Sequence, residues 1–422
     1  MPPANSTAHV LPHIPTPDPR PIAVRVTPAA ERALREGHPW LFERSIRQQS
    51  RAGRPGDLAV VFDRRNRFLA VGLYDPTSAI RIRLLQHHEP ATIGQAWFQE
   101  RIAASVQRRE PLRQAEETTG YRLVHGGNDG LPGLVADRYE RTLVVKLYTP
   151  AWLPHLRDVQ TALLESAPAE RLILRFGRAA QDQPQHLHGL RDGAILHGPP
   201  LDGPVLFQEN GLRFEADPIH GQKTGFFLDQ RENRARVTPL AAGKAVLDVF
   251  AYSGPFSLYA ARGAARSVVS LDGSRPALEA ARRNFALNRA IPAVAAARHE
   301  LVAEDAFQAL ERMGRAGRRF DLVIVDPPAF ARNRAQVSGA LAAYERLTRL
   351  AVGVLRTGGV LVQASCSSRV GADEFFAAVH RAAREAGRPL QEIERTGHPL
   401  DHPVGFKEGA YLKCLFARVS TS

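Results

Sequence analysis

The chain has 422 residues, a formal net charge of +13 and only two cysteines, Cys366 and Cys414. That length is enough for two to three domains with ample core, while two thiols exclude a disulfide framework and fit a reducing compartment, the cytoplasm. No apolar run is long enough to span a membrane and no cysteine or histidine spacing suits zinc, so neither a membrane segment nor a metal is expected.

The positive charge favours a polyanionic partner, most plausibly nucleic acid. Nearly all of the basic residues are arginine and alanine is abundant. The same numbers therefore also fit a bias in the coding sequence, and both readings stand at this point.

In chain order, residues 1–20 are proline-rich and lack a signal-peptide run, which predicts a disordered tail. Residues 21–90 predict a β-rich module with strands at 22–26, 58–62, 68–74 and 80–84 and a helix at 28–36. In the last strand Arg81 and Arg83 alternate with apolar residues, which puts them in solvent, either for phosphates or as edge charges that block aggregation. Residues 91–117 predict a helical linker, with one helix over 93–112 carrying Arg101, Arg108, Arg109 and Arg113.

Residues 118–217 predict a small α+β middle domain, with two strands around the Gly-rich turn after His125, a helix at 153–165 and a strand at 171–176. The turn's glycines most simply serve backbone conformation; a binding role is the other reading. Residues 218–422 open with Gly221-Gln-Lys-Thr-Gly-Phe-Phe-Leu-Asp-Gln-Arg, where Asp229 is placed to cap a helix starting at Gln230. Its other reading is a carboxylate for a ligand's amino group.

The stretch 245–272 reads as strand, Ser-Gly-Pro turn, helix and a second strand ending on Asp272, a unit that holds adenosine with the acid on the ribose hydroxyls. A dinucleotide site wants three glycines for its pyrophosphate. Only Gly254 is present, so an adenosine compound without phosphate fits better, and S-adenosylmethionine is the common one. The α/β alternation continues through strands at 320–325 and 359–364 and helices at 275–288, 337–355 and 372–386, with two further strands at the end. Connection rules then favour a doubly wound sheet with ligands at the carboxyl ends of its strands.

Asp326 and Cys366 each follow such a strand, and if the two strands are neighbours an acid and a thiol share the crevice. Carbon 5 of a pyrimidine is a poor nucleophile, and a thiolate added to carbon 6 turns it into an enamine that attacks a sulfonium methyl. Cys366 suits that role, with Asp326 stabilising or protonating the ring nitrogen; the other reading of Cys366 is a small residue in a tight turn. Cys414 lies inside an apolar strand and reads as core.

Together, Asp248-Val-Phe-Ala-Tyr-Ser-Gly, Asp326-Pro-Pro-Ala-Phe, Ser365-Cys-Ser, the Gly221 to Arg231 stretch and His125 to Tyr139 resemble the class I S-adenosylmethionine-dependent large-subunit rRNA methyltransferases with an N-terminal PUA domain, over about residues 21–420. The nearest in pattern is the bacterial group forming 5-methylcytosine in 23S rRNA. The resemblance implies an α/β architecture: a doubly wound Rossmann-like methyltransferase sheet behind a β-rich PUA module and the α+β middle domain. It implies Cys366 as nucleophile, Asp326 with Pro327, Pro328 and Phe330 at the target base, and a cofactor lined by Phe227, Leu228, Asp229, Gln230, Asp248, Phe250, Tyr252, Ser253, Gly254, Asp272, Asp305 and Asp326. The partner implied is 23S rRNA or a ribosomal assembly intermediate. Pro255 departs from the glycine many members carry there, and the Pro-rich tail has no counterpart in the family.

Two competitors remain from the residues: a guanine or adenine N-methyltransferase using the Asp326-Pro-Pro-Ala-Phe330 signature without a thiol, and a non-catalytic RNA-binding assembly protein. The intact series Asp248, Asp272, Asp305 and Asp326 argues against the last. Oligomeric state, a homodimer included, is open.

Overall fold

The computed structural model describes residues 14–331 and 333–420. Most of the expected tail, residues 1–13, lies outside them. Within 14–20 the Asp18 amide donates to Asp57 Oδ1 at 3.0 Å and Ile14 packs on a hydrophobic core, so these residues are held and the expectation of a tail to residue 20 is corrected there. The chain divides into two compact units, one of residues 1–209, 216–228 and 400–406, the other of 210–215, 229–399 and 407–422.

The first unit begins with a six-stranded sheet: β1 (Ile22–Val26), β2 (Trp40–Phe42), β3 (Ile46–Gln49), β4 (Leu58–Phe62), β5 (Phe68–Tyr74) and β6 (Ile80–His87), in the order β2-β6-β5-β4-β1-β3. Alternation drives it, since Ile22, Val24 and Val26 face the core while Ala23 and Arg25 face out. Helix α1 (Pro28–Arg35) starts where Thr27 Oγ1 accepts the Ala30 amide.

Arg81 and Arg83 are not in solvent. Arg83 is 7% exposed and lies 3.4 Å from the buried Asp75, and Arg81 pairs with Glu43 at 2.5 Å. Asp75 also accepts the Thr149 hydroxyl at 2.5 Å. A cation is tolerated inside when a carboxylate and further acceptors meet it, and alternation alone does not reveal such a partner.

The linker is two helices, α2 (Gln95–Gln107) and α3 (Glu110–Gln114), because Pro111 cannot continue the first. A five-stranded sheet follows, β7 (Gly120–His125), β8 (Leu134–Tyr139), β9 (Thr142–Leu147), β10 (Arg171–Phe176) and β11 (Ile195–His197), in the order β11-β10-β9-β8-β7. The segment expected as two strands is thus three, with Glu140 at φ +54° making the extra turn. Helix α4 (Leu156–Ser166) begins later than expected, after a 3-10 stretch over Pro150–His155, and the short α5 (Arg178–Gln181) and β12 (Val205–Glu209) follow.

Under the Gly-rich turn lies a buried charged cluster. Arg109, 1% exposed, grips Asp129 with two bonds of 3.0 and 2.7 Å and also donates to the Asp401 carbonyl at 2.9 Å. Residues 400–406 belong to this unit although the strands on either side of them belong to the other. They are built in: Asp401 Oδ2 accepts the Arg122 amide at 2.9 Å, the His402 and His125 rings lie 4.9 Å apart, and Phe406 lies 5.1 Å from Trp40.

After β13 (Leu212–Ala216), where the chain crosses between units, the second unit is a seven-stranded, mostly parallel sheet. Its strands are β14 (Ala245–Val249), β15 (Ser267–Asp272), β16 (Arg298–Ala303), β17 (Phe320–Val325), β18 (Leu355–Ser365), β19 (Leu390–Thr396) and β20 (Lys413–Val419). The order is β16-β15-β14-β17-β18-β20-β19, and β20 runs antiparallel to both of its neighbours, β18 and β19. Helices α6 (Arg231–Val237), α7 (Pro255–Arg262), α8 (Arg275–Leu287), α9 (Pro292–Ala296), α10 (Ala306–Arg315), α11 (Val337–Val354) and α12 (Ala372–Glu385) accompany it. Every residue of β14 is buried, as a parallel strand covered on both faces requires.

The connection order reverses between β14 and β17, so the crevice beyond their carboxyl ends is the topological switch point. Asp229 is not the cap residue: α6 starts at Arg231 with Gln230 in the cap position, and Asp229 Oδ2 accepts the Tyr411 hydroxyl at 2.9 Å.

Candidate active site

Three backbone positions after β14 adopt left-handed conformations: Phe250 at φ +65°, Tyr252 at +51° and Gly254 at +75°. For Phe and Tyr this is costly, and such outliers persist where the surroundings over-determine them. Here the surroundings do: the Ala251 amide bonds the Leu271 carbonyl at 3.0 Å, the Tyr252 amide donates to Asp272 Oδ2 at 2.8 Å, and Asn284 Nδ2 donates to the Ser253 carbonyl at 2.9 Å. A Cβ on Gly254 would stand 2.8 Å from that of Ala281, so the loop comes too close to α8 for any side chain there. Pro255 is the first residue of α7, where its missing N–H costs nothing.

Asp272 Oδ1 accepts the Ser274 amide at 2.8 Å, so each carboxylate oxygen is fixed by one main-chain donor. An oxygen so held keeps a second lone pair, and the pair suits two neighbouring hydroxyls. Asp248 is 1% exposed; its Oδ2 accepts the Ser257 amide at 3.0 Å and hydroxyl at 2.7 Å, and its Oδ1 is buried with no hydrogen-bond partner among the described residues. Burial pushes its carboxyl up to about 7, opposed by the Ser257 bonds and reinforced by Asp326 and Asp272. Asp305 is exposed and its Oδ1 caps α10, accepting the Phe307 and Gln308 amides.

A bond relay fixes Asp326. Thr396 Oγ1 donates to Asn233 Oδ1, Asn233 Nδ2 to Gln230 Oε1, and Gln230 Nε2 to Asp326 Oδ1 at 2.9 Å. In the same loop Pro327 is buried, Pro328 exposed, and Phe330 packs 5.1 Å from the Tyr344 ring. Since β17 and β18 are parallel neighbours, Cys366 follows the adjacent strand, and its Sγ lies 3.8 Å from the Pro327 carbonyl.

The turn that carries Cys366 is pinned on both sides. Ser365 Oγ donates to the Tyr344 hydroxyl at 2.8 Å and Ser367 Oγ to the Ala331 carbonyl at 3.2 Å. Cys414 is wholly buried in β20, and burial pushes its thiol well up.

Phe227 and Leu228, expected beside these residues, belong to the first unit; Lys223 Nζ sits 4.5 Å over the Phe227 ring and Leu228 is 2% exposed. Residue reading missed Ser257, Asn233, Asn284, Tyr344, Tyr411 and Lys413. Their signal was weak, since each is one polar residue on a buried face, meaningful only with its partner across the sheet.

Carboxylates at the strand ends, one orphaned oxygen among them, fit a cationic ligand, and the two fixed oxygens of Asp272 fit a ribose. The fold and this arrangement define a nucleoside-binding doubly wound domain. The family described as S-adenosylmethionine-dependent methyltransferase matches residues 121–418 and the one described as PUA-like domain matches residues 24–87. The chain belongs to the S-adenosylmethionine-dependent methyltransferases and carries an N-terminal PUA-like domain.

Among curated relatives, the ribosomal RNA large subunit methyltransferase of Deinococcus radiodurans is 47% identical over 402 residues, 94% of this chain and 97% of that protein. The ribosomal RNA large subunit methyltransferase I of Shewanella amazonensis is 36% identical, covering 94% and 99%. Among solved structures, one described as a SAM-dependent methyltransferase from Streptococcus mutans shares the fold at 21% identity and TM-score 0.79, covering 94% of this chain and 100% of that one. Another methyltransferase structure, complexed with SAH, matches at 22% and 0.80 with the same coverage.

Proposed function

We propose that this enzyme methylates large-subunit rRNA, forming 5-methylcytosine in 23S rRNA through a covalent Cys366 adduct at carbon 6. The observation that carries the reading is the Cys366 sulfur at the carboxyl end of β18, 3.8 Å from the Pro327 carbonyl that follows β17, one of the two switch-point strands. The names of the relatives support the rRNA substrate. In the first unit, a cavity of about 300 Å³ lined by Gly37, Pro39, Gln86, His87, Arg101 and Gly127 offers a cation and polar edges of the kind an unpaired nucleotide uses.

The bound cofactor supplies a methyl group on a sulfonium. Cys366 as thiolate forms a bond to carbon 6 of the cytosine, and the displaced electron pair reaches the ring nitrogen, which takes a proton from Asp326, oriented by Gln230 and acting in its protonated form. The enamine so made carries a nucleophilic carbon 5. Attack by carbon 5 on the methyl leaves the sulfonium sulfur as a neutral thioether; water then takes the carbon 5 proton, the re-formed enamine expels the sulfur as thiolate, and the ring nitrogen returns its proton to Asp326.

Asp272 is assigned to the ribose hydroxyls and the Phe250 to Gly254 loop to the rest of the nucleoside, with Asp229 and Asp305 adding negative potential and Asp248, raised to about 7 by burial, drawn to its ionised form by the cationic ligand. Asp272→Ala removes two charge-assisted bonds worth about 1.5–3 kcal/mol each at most. Calorimetry without RNA is expected to show cofactor affinity weakened roughly 10- to 100-fold, and an unchanged Kd would remove Asp272 from the pocket.

The proposed product is tested by digesting rRNA incubated with the enzyme and cofactor and resolving the modified nucleosides by mass spectrometry. 5-Methylcytosine at one position is expected. A methylated guanine or adenine instead would favour the base-nitrogen reading, in which the exocyclic amine at Asp326-Pro-Pro-Ala-Phe330 needs no thiol.

A further inference from the structure

Lys413 opens β20, the antiparallel neighbour of the strand that ends just before Cys366, and is only 5% exposed. A buried lysine is normally paired with an acid, but this ammonium is met by main chain. It donates to the carbonyls of Ser367, Val370 at 2.7 Å and Tyr411 at 3.2 Å. An ammonium has three donors, so all are committed, and two of them go to the turn directly after Cys366.

Two consequences follow for the neighbouring sulfur. The Ser367 to Val370 turn is tied to β20, which fixes where Cys366 points. A full positive charge also stands in a dry environment near the thiol, where it acts through its field rather than through a hydrogen bond. Burial draws Lys413 down to about 8 while Cys366 and Glu374 hold it up, so at neutral pH it remains mostly cationic. Other ionisable groups around this sulfur and this ammonium, among the described residues, include Asp326 after β17, Tyr344 on α11 and Glu374 on α12. Tyr344, pushed up to about 12 by burial, is neutral, and the acids oppose a thiolate only when ionised.

We propose that Lys413 is a positioning residue for Cys366, holding its turn in place and supplying the cation that makes the thiolate accessible at neutral pH. It rests on the reading of Cys366 as nucleophile for its purpose, but it is testable without RNA or methyl transfer.

The full chain has two thiols, of which Cys414 is wholly buried, so iodoacetamide uptake mapped by mass spectrometry reports Cys366. In the unmodified protein the pH profile of alkylation should have its midpoint below about 8.5, the ordinary thiol value. Lys413→Met should move that midpoint up by about one unit, roughly tenfold slower alkylation at pH 7, and Lys413→Arg should restore most of the difference. A Lys413→Met profile that overlays the original overturns the proposal.

If Lys413→Met does not fold, Lys413→Gln, which keeps amide donors for the turn carbonyls but removes the charge, decides. Its midpoint should also rise, and no shift or a fall overturns the proposal. Activity in Cys366→Ala would defeat the nucleophile reading while leaving the alkylation result intact, so the two failures are distinguishable.

Discussion

Cys366→Ala is expected to abolish methyl transfer to RNA, a loss on the order of a thousandfold or more, while cofactor affinity measured by calorimetry stays within about twofold. The sulfur is the only attacking group in the proposed scheme, and carbon 5 of cytosine has no other route to enamine character. It neighbours the Pro327 carbonyl rather than the loop held by Asp272, so its removal leaves the nucleoside pocket untouched. Cys414→Ala is the control: that thiol is fully buried in β20, and its loss costs about 1 kcal/mol of packing with activity retained. Full activity of Cys366→Ala would transfer the reading to a base nitrogen that acts as its own nucleophile.

Arg109→Met is expected to destabilise the first unit by about 3–5 kcal/mol. The guanidinium is 1% exposed and is the main partner of the buried Asp129, with further bonds to the carbonyls of Ser105, Arg122 and Asp401. Burial pushes the Asp129 carboxyl up, but Arg109, the His125 amide and Arg108 outweigh it and hold the group below the usual range.

A carboxyl depressed in the folded state adds stability that is present above its unfolded value near 3.8 and is lost as pH falls through the lower folded value. In Arg109→Met that contribution shrinks, leaving Arg108 as the remaining cation. All three tryptophans, Trp40, Trp97 and Trp152, lie in this unit, so urea titration by tryptophan fluorescence reads it selectively. Adding Asp129→Asn should recover part of the loss. A single variant as stable as the parent would mean that the ion pair contributes nothing net.

Much of the second unit could be read from residues alone. Its central strands are buried on both faces and announce themselves as largely apolar runs such as Leu322 to Val325, which is followed directly by Asp326. The adjacency of β17 and β18 followed from the tendency of consecutive parallel strands to pair. What escaped depended on distant partners. The strand Ile46–Gln49 is mostly exposed and polar, and it exists because β1 offers it an edge. Arg83 reads as a surface charge until Asp75 is brought beside it. Gln230 and Asn233 resemble ordinary helix-start residues until Asp326 and Thr396 close their relay.

The placement of residues 400–406 in the first unit also bears on biosynthesis. A chain leaving the ribosome from its N-terminus exposes Arg109 and His125 early, but Asp401 and His402 emerge only after nearly everything else has been made. The N-terminal half must therefore wait, with a vacant berth, until translation is almost finished. Splitting the gene between the halves would leave that berth unfilled however cleanly each piece was purified.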